Sequence, residues 1–361
     1  IGTKDEVDGT ITRVGGSGIS VGGDNANGAF TADIENSGEI YAEGYGLHLG
    51  GDNYGGKITN TGTLDANAGG IFVGGANTGT ISNATDATIL TSSATASGIR
   101  VVGNNASGGG SITNAGTIGS AAAPVGDAGI GVSGTNSGGI SNSGTIYASH
   151  DGIRVGDTAD GANAGAISNT GSLIVGAQAT ATDSHGIYVL GANTGTINNA
   201  SGATISVGTN GQDGINVVGS NSGGISNAGT ITAYTNGIEV GQDNLAAGAG
   251  ILNGGRIFTT TGAAILVDGS NAGSIDNASA DSVLVSAQAD GILVRVNNSG
   301  TINNNGSIGS FVPGTTTRVG GDGIEVGGSN SGTISTGDTG RIYSTGNGIV
   351  VGAANSGGII T

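Results

Sequence analysis

The 361-residue chain has no Cys, Met or Trp and only two Pro. Without thiols there is neither a disulfide framework nor a thiolate metal site. No run of about 18 apolar residues occurs, so no helix is expected to span a membrane. Two Pro and the absence of a strict third-position Gly exclude collagen. Aromatics are scarce, with seven Tyr and four Phe, and charged residues make up only 10%. Nine Lys and Arg stand against 26 Asp and Glu, a net charge of −17. A nucleic-acid partner is not expected, because phosphate contacts need Lys and Arg. The chain opens at Ile1 rather than Met and shows no signal peptide, which reads as a processed protein or a segment of a longer one.

What is abundant is Gly, 79 residues of it, and it recurs in a pattern. The unit is G-I-x-V, then N-x-G-x-I-x-N-x-G-x-I, then a variable spacer. One clear copy runs Gly129-Ile130-Gly131-Val132, Asn136-Ser137-Gly138-Gly139-Ile140 and Asn142-Ser143-Gly144-Thr145-Ile146. The opening Gly-apolar pair recurs along the chain, once as Ala264-Ile265, in thirteen copies spaced 23–34 residues apart. Apolar residues alternate over four to six residues between Gly and Asn, which is a strand signal, and no helical period appears. Each copy therefore predicts three short strands and three corners. Such a unit cannot bury a face alone, but stacked on its neighbours it can. The expected fold is all-β, a right-handed parallel β-helix (β-solenoid). It should have about 13 coils and fill residues 1–361 as one repeat domain that starts and ends in mid-coil.

The pleat assigns Ile130, Val132, Ile140 and Ile146 to the interior, and likewise Ile215, Val217, Ile225 and Ile231. Successive coils should stack ~4.8 Å apart. Asn has two repeated places. The first lies before strand two and runs from Asn53 to Asn355, with Asn136 and Asn221 among its members. The second lies after it and runs from Asn36 to Asn304, with Asn142 and Asn227, and has Thr336 in the next copy. Asn suits turns, and amides repeated at one corner can stack into ladders. Ile1-Gly2 matches Ile308-Gly309, and residues 12–16 match residues 317–321, so the N-terminus should sit at the strand-three position.

These runs resemble the passenger repeats of bacterial autotransporter and filamentous-haemagglutinin-type surface proteins. The carriers are Gly186-Ile187-Tyr188-Val189 with Gly195-Thr196-Ile197-Asn198-Asn199, and Ile225-Ser226-Asn227-Ala228-Gly229-Thr230-Ile231. The resemblance covers nearly all of residues 10–361. It implies a surface-exposed β-helix, export through an outer membrane and an extracellular, cell-surface location in bacteria. It does not specify an activity.

A catalytic β-helix gathers acids or bases on one strand face. The outward position of strand one reads Ser20, His48, Phe72, Arg100, Gly131, Arg154, Tyr188, Asn216, Glu239, Leu266, Leu293, Glu325 and Val350. No two acids in that file occupy adjacent copies, so no catalytic residues are expected and the chain is read as not an enzyme. Leu266 and Leu293 are expected to form a small exposed apolar patch. His48 is placed on strand one, while His150 and His185 precede Gly pairs and are expected as solvent-exposed turn residues; the Ser–His–Asp alternatives would use His150 with Asp151 or Asp183 with His185. Asp24, Asp52 and Asp243, each followed by Asn, are weak calcium candidates by their hard oxygen ligands; no other cofactor is expected. The function expected is a structural fibre, layer or stalk that self-associates end to end. The alternative is an adhesin that binds a cell-surface ligand through the spacers at 120–128, 174–185 and 310–322. Ile140→Asp should unfold at least the neighbouring coils, because it buries an unpaired charge; unchanged thermal unfolding would refute the inward assignment.

Overall fold

The computed structural model describes residues 1–5, 10–25, 33–157, 161–176, 183–209, 211–246, 248, 250–312 and 315–360. It is all-β, a parallel β-solenoid of three sheets with no helix among the described residues. In the sample coil, Ile130–Val132 lies in the first sheet, Gly139–Asn142 in the second and Thr145–Ala148 in the third. The first and second sheets hold 13 strands each and the third holds 12, in coil order without a crossover. Register follows the repeat residue by residue: Ile130 pairs with Ile99 and Ile153, and Ile140 with Ile112 and Ile167.

The interior is a file of aliphatics. Ile130, Val132, Ile140 and Ile146 are buried, as are Ile215, Val217, Ile225 and Ile231. Strand three adds a second inward residue that the repeat pattern did not reveal: Ala148 in the sample coil, Val175 and Val207 in later ones. Where strand three breaks off after Ile118, Val125 returns from an excursion to fill this place beside Ala148. Val14 and Val319 do the same beside Ala42 and Ser344. Each of these excursions leaves through a Gly with positive φ: Gly2 (73°), Gly119 (71°) and Gly309 (75°). Two of them are antiparallel hairpins, Thr3–Lys4 with Ile11–Thr12 and Ser310–Val312 with Thr315–Thr317. Ile1 lies at the strand-three position, as the sequence match required, with its amino group donating to Glu39 O and its carbonyl accepting from Tyr41 N.

Asn files bound the second sheet on either side. In the file after strand two, Asn36 Nδ2 donates to Asn60 Oδ1 at 2.8 Å, and the same bond repeats coil by coil to Asn304. In the file before strand two, the chain of amides runs from Asn25 to Asn355. Asn25 and Asn244 belong to it although neither is followed by the usual x-Gly; their offset of four residues from Val21 and Val240, shared by every other member except Asn163, marks them. The second amide hydrogen also finds a partner: Asn60 Nδ2 donates to Gly62 O at 3.0 Å. Apart from the exposed Asn355, these side chains are almost wholly buried, and each buried one must be paired.

Gly is required where coils approach most closely. A Cβ on Gly138, two residues after Asn136, would fall on the carbonyl oxygen of Gly110 in the preceding coil. A Cβ on Gly129 would collide with Ile146 Cγ2 inside the tube.

Asn169→Ala removes the bonds from Asn142 and to Asn199 and strands an amide and a carbonyl in the interior. At ~1–3 kcal/mol for each buried group left unpaired, the expected loss is about 2–5 kcal/mol, with amide hydrogen exchange accelerated in both flanking coils. A loss within the ~0.5 kcal/mol of an ordinary surface change would show the ladder to be incidental.

Candidate functional site: the outward face of the first sheet

Charged groups concentrate on one face. The outward file of the first sheet has the order read from the sequence, Arg100 beside Gly131, Gly131 beside Arg154, then Tyr188, Asn216, Glu239 and Leu266. Gly131 presents no side chain, and Arg100 and Arg154 both reach Asp127 from either side of it. Arg154 grips Asp127 with two bonds of 2.6 and 2.7 Å. Arg100 approaches Asp127 at 3.4 Å and Asp157 at 2.5 Å. Burial would raise the Asp127 carboxyl, but the Arg154 fork, Ser97 and Arg100 outweigh it and hold the group below the usual carboxylate range. The paired acids likewise hold the Arg154 guanidinium above its ordinary value against the effect of burial.

A second file flanks the first, made by the residue just before each opening Gly. In successive coils it holds Asp151, His185, Asp213 and Asn236, then, after Ala263, Asp290, Asp322 and Asn347. Each Asx oxygen here except that of Asn347, in the last coil, accepts a backbone N–H of the next coil. Asp151 Oδ1 takes His185 N at 3.1 Å, Asp213 Oδ1 takes Asn236 N at 2.7 Å, and Asn236 Oδ1 takes Ala263 N at 2.9 Å. The Asp-Gly and Asn-Gly pairs at this corner therefore stitch coils together.

This file overturns two expectations. His185 is no exposed turn residue; it is 3% exposed, with Nδ1 3.2 Å from Asp151 Oδ1 and Nε2 3.6 Å from Asp213 Oδ2. Its ring stacks on Tyr188 with centroids 4.4 Å apart. Acids do meet on adjacent coils, because the flanking file supplies Asp213 next to Glu239 and Asp290 next to Glu325. The sequence reading followed only the central file and so could not see them. His48 is part-buried, its ring beside both Tyr45 and Phe72, which stack on each other, and 3.0 Å from Ser20 Oγ. The part-buried His150 uses Nδ1 on Gly126 O at 2.8 Å. Leu266 also departs from expectation: it is buried, so Leu266 and Leu293 make no exposed patch.

Each of the calcium candidates turns one carboxylate oxygen to the backbone of the next coil. Asp24 Oδ1 accepts Asp52 N at 2.8 Å, Asp52 Oδ1 accepts Ala76 N at 2.5 Å, and Asp243 Oδ1 accepts Ser270 N at 2.7 Å. Asn104 and Asn297 do the same with an amide oxygen, so the corner works without a charge. Among the described residues, one set of three acids comes close enough to share an ion, Asp290, Asp322 and Glu325.

The acids shape the titration of this face. Burial, reinforced by Asp213 and Asp268, pushes Glu239 up to about 7 despite the Asn236 amide and His185. Burial alone would depress His185, but Asp151 and Asp213 carry it above its ordinary value. Asp290 and Glu325 are also raised, chiefly by burial. All four bind protons more tightly folded than unfolded. Their stabilisation is complete at pH below the unfolded pKa and is lost as pH rises through the folded one.

Compared with protein-family models, curated proteins and solved structures, the chain matches none of them.

Thermal unfolding is expected at a lower temperature at pH 8 than at pH 6. Glu239→Gln should raise the midpoint at pH 8 and shrink the difference between the two pH values. An unaltered pH dependence in that variant would show that Glu239 does not carry it.

Proposed function

We propose that this chain is a non-enzymatic structural rod, a fibre, layer or stalk element displayed on a bacterial cell surface, and that copies associate end to end. The observation that carries this reading is the unbroken coil-to-coil stitching. Three parallel strand pairings and the amide file before strand two continue through the described solenoid, and the file after strand two runs from Asn36 to Asn304. An array held at every step by hydrogen bonds and a shared aliphatic core is stiff along its axis, and its stability grows with each added repeat. The same register that joins one coil to the next would join one copy to another. The charged face agrees with this role, since Asp127, Asp151, Asp213 and His185 are engaged with neighbouring coils. The repeat motifs' resemblance to autotransporter passengers supports the surface location. No helix among the described residues is long and apolar enough to cross a membrane.

A second reading, an adhesin, is favoured by the hairpin Ser310–Val312 with Thr315–Thr317, which leaves the solenoid without interrupting it. Of the spacers named for this role, residues 177–182 and 313–314 lie outside the described residues.

Electron microscopy of native material, on cells and purified, separates the two. Continuous filaments or a lattice with a ~4.8 Å axial repeat are expected; isolated short rods would refute end-to-end assembly. Replacing residues 310–317 by a short turn, with Val319 kept, should leave assembly intact. Loss of binding to cells in that variant would establish the adhesin.

A further inference from the structure

On the outward face of the first sheet, Asn216 Oδ1 is a buried polar atom without a partner. Asn216 is 7% exposed, and its Nδ2 donates to Asp213 Oδ2 at 2.7 Å. That bond fixes the amide, since turning it over would set two oxygens against each other. Oδ1 is then left buried and unpaired, a costly state that a native fold relieves with a ligand, a water or a neighbour's proton.

The surroundings carry excess negative charge. Glu239 is the register partner of Asn216 in the next coil. Its Oε2 accepts from Asn236 Nδ2 at 2.5 Å, and its other oxygen is not engaged by that amide. Asp213 and Asp268 both act on Glu239. The nearby cations are already committed: Arg295 to Asp268 at 2.6 Å, Arg154 to Asp127, and His185 between Asp151 and Asp213. An unpaired amide oxygen beside a carboxylate is a hard-donor arrangement, suited to a hard cation rather than to a soft or imidazole-seeking one.

We propose that Asn216 Oδ1 and the Glu239 carboxylate bind a divalent cation of the calcium type, with Asp213 holding the Asn216 amide in the receiving orientation. The site is distinct from Asp24, Asp52 and Asp243, whose oxygens cap backbone N–H groups. It is also distinct from the Asp290, Asp322 and Glu325 cluster. There, Asp290 and Glu325 hydrogen-bond to each other, and no buried unpaired oxygen points to a ligand. This inference does not depend on the structural-rod reading.

The test is calorimetric titration of the full chain with calcium chloride at pH 8 in ~0.1 M potassium chloride, which screens diffuse binding to the acidic surface. Saturable binding is expected at one site. It should weaken at least tenfold in Glu239→Gln and in Asn216→Leu and persist in Glu325→Gln. Circular dichroism melting checks that the variants fold; if Asn216→Leu does not, the near-isosteric Glu239→Gln decides alone. Absence of saturable binding to the wild type overturns the proposal. So does binding that survives Glu239→Gln, or that is lost in Glu325→Gln alone.

Discussion

A buried carboxamide has two donors and an acceptor with two lone pairs, and inside this solenoid the group best placed to meet them is the same carboxamide one coil away. Everything else depends on that constraint. Aliphatic burial favours any arrangement that hides Ile and Val, and a slip that exchanged one Ile for another would cost it little. The amide bond tolerates no such slip, because Asn142 must find Asn114 behind it and Asn169 ahead. The files on either side of the second sheet therefore set the register of all three sheets. The aliphatic files supply the driving force, and the glycines let the backbones close to the distance the amides need.

The same constraint explains how the coils vary in length without losing alignment. The Asn offsets around strand two are nearly fixed, and most of the variation falls in the spacers after strand three. There the backbone escapes through a positive-φ Gly and re-enters at a Val that takes the place of the missing inward residue. Gly2 with Val14, Gly119 with Val125, and Gly309 with Val319 are three uses of one device. An insertion costs the core nothing as long as the returning Val lands beside its neighbour.

The parts of the structure set by backbone period were legible in the sequence. Alternation around Ile130 and Ile140 gave the strands, their spacing gave the coils, and the outward file of the first sheet came out in its true order. What escaped notice depended on the side of the tube a corner residue faces. Asp151, His185 and Asp213 precede a Gly pair and read as turn chemistry, yet the bend brings them alongside the central file. Period-2 alternation ends at the strand boundary and carries no information past it. Leu266 was misjudged for a related reason: an outward position is exposed only if its flanks stand clear of it. Asn25 and Asn244 were missed because attention went to the Gly that follows rather than to the distance from the preceding Val.

Every amide in the two Asn files points the same way, Nδ2 toward the following coil and Oδ1 toward the preceding one. Cut between two coils that carry both files, the array shows carboxamide donors on one face and carboxamide acceptors on the other. Two faces of the same kind cannot mate, because donor would meet donor. An assembly built by this stacking is therefore polar, with chemically different tips, and each tip dictates the orientation of whatever joins it. Head-to-tail order would be enforced by the carboxamides alone, with no adaptor to read direction.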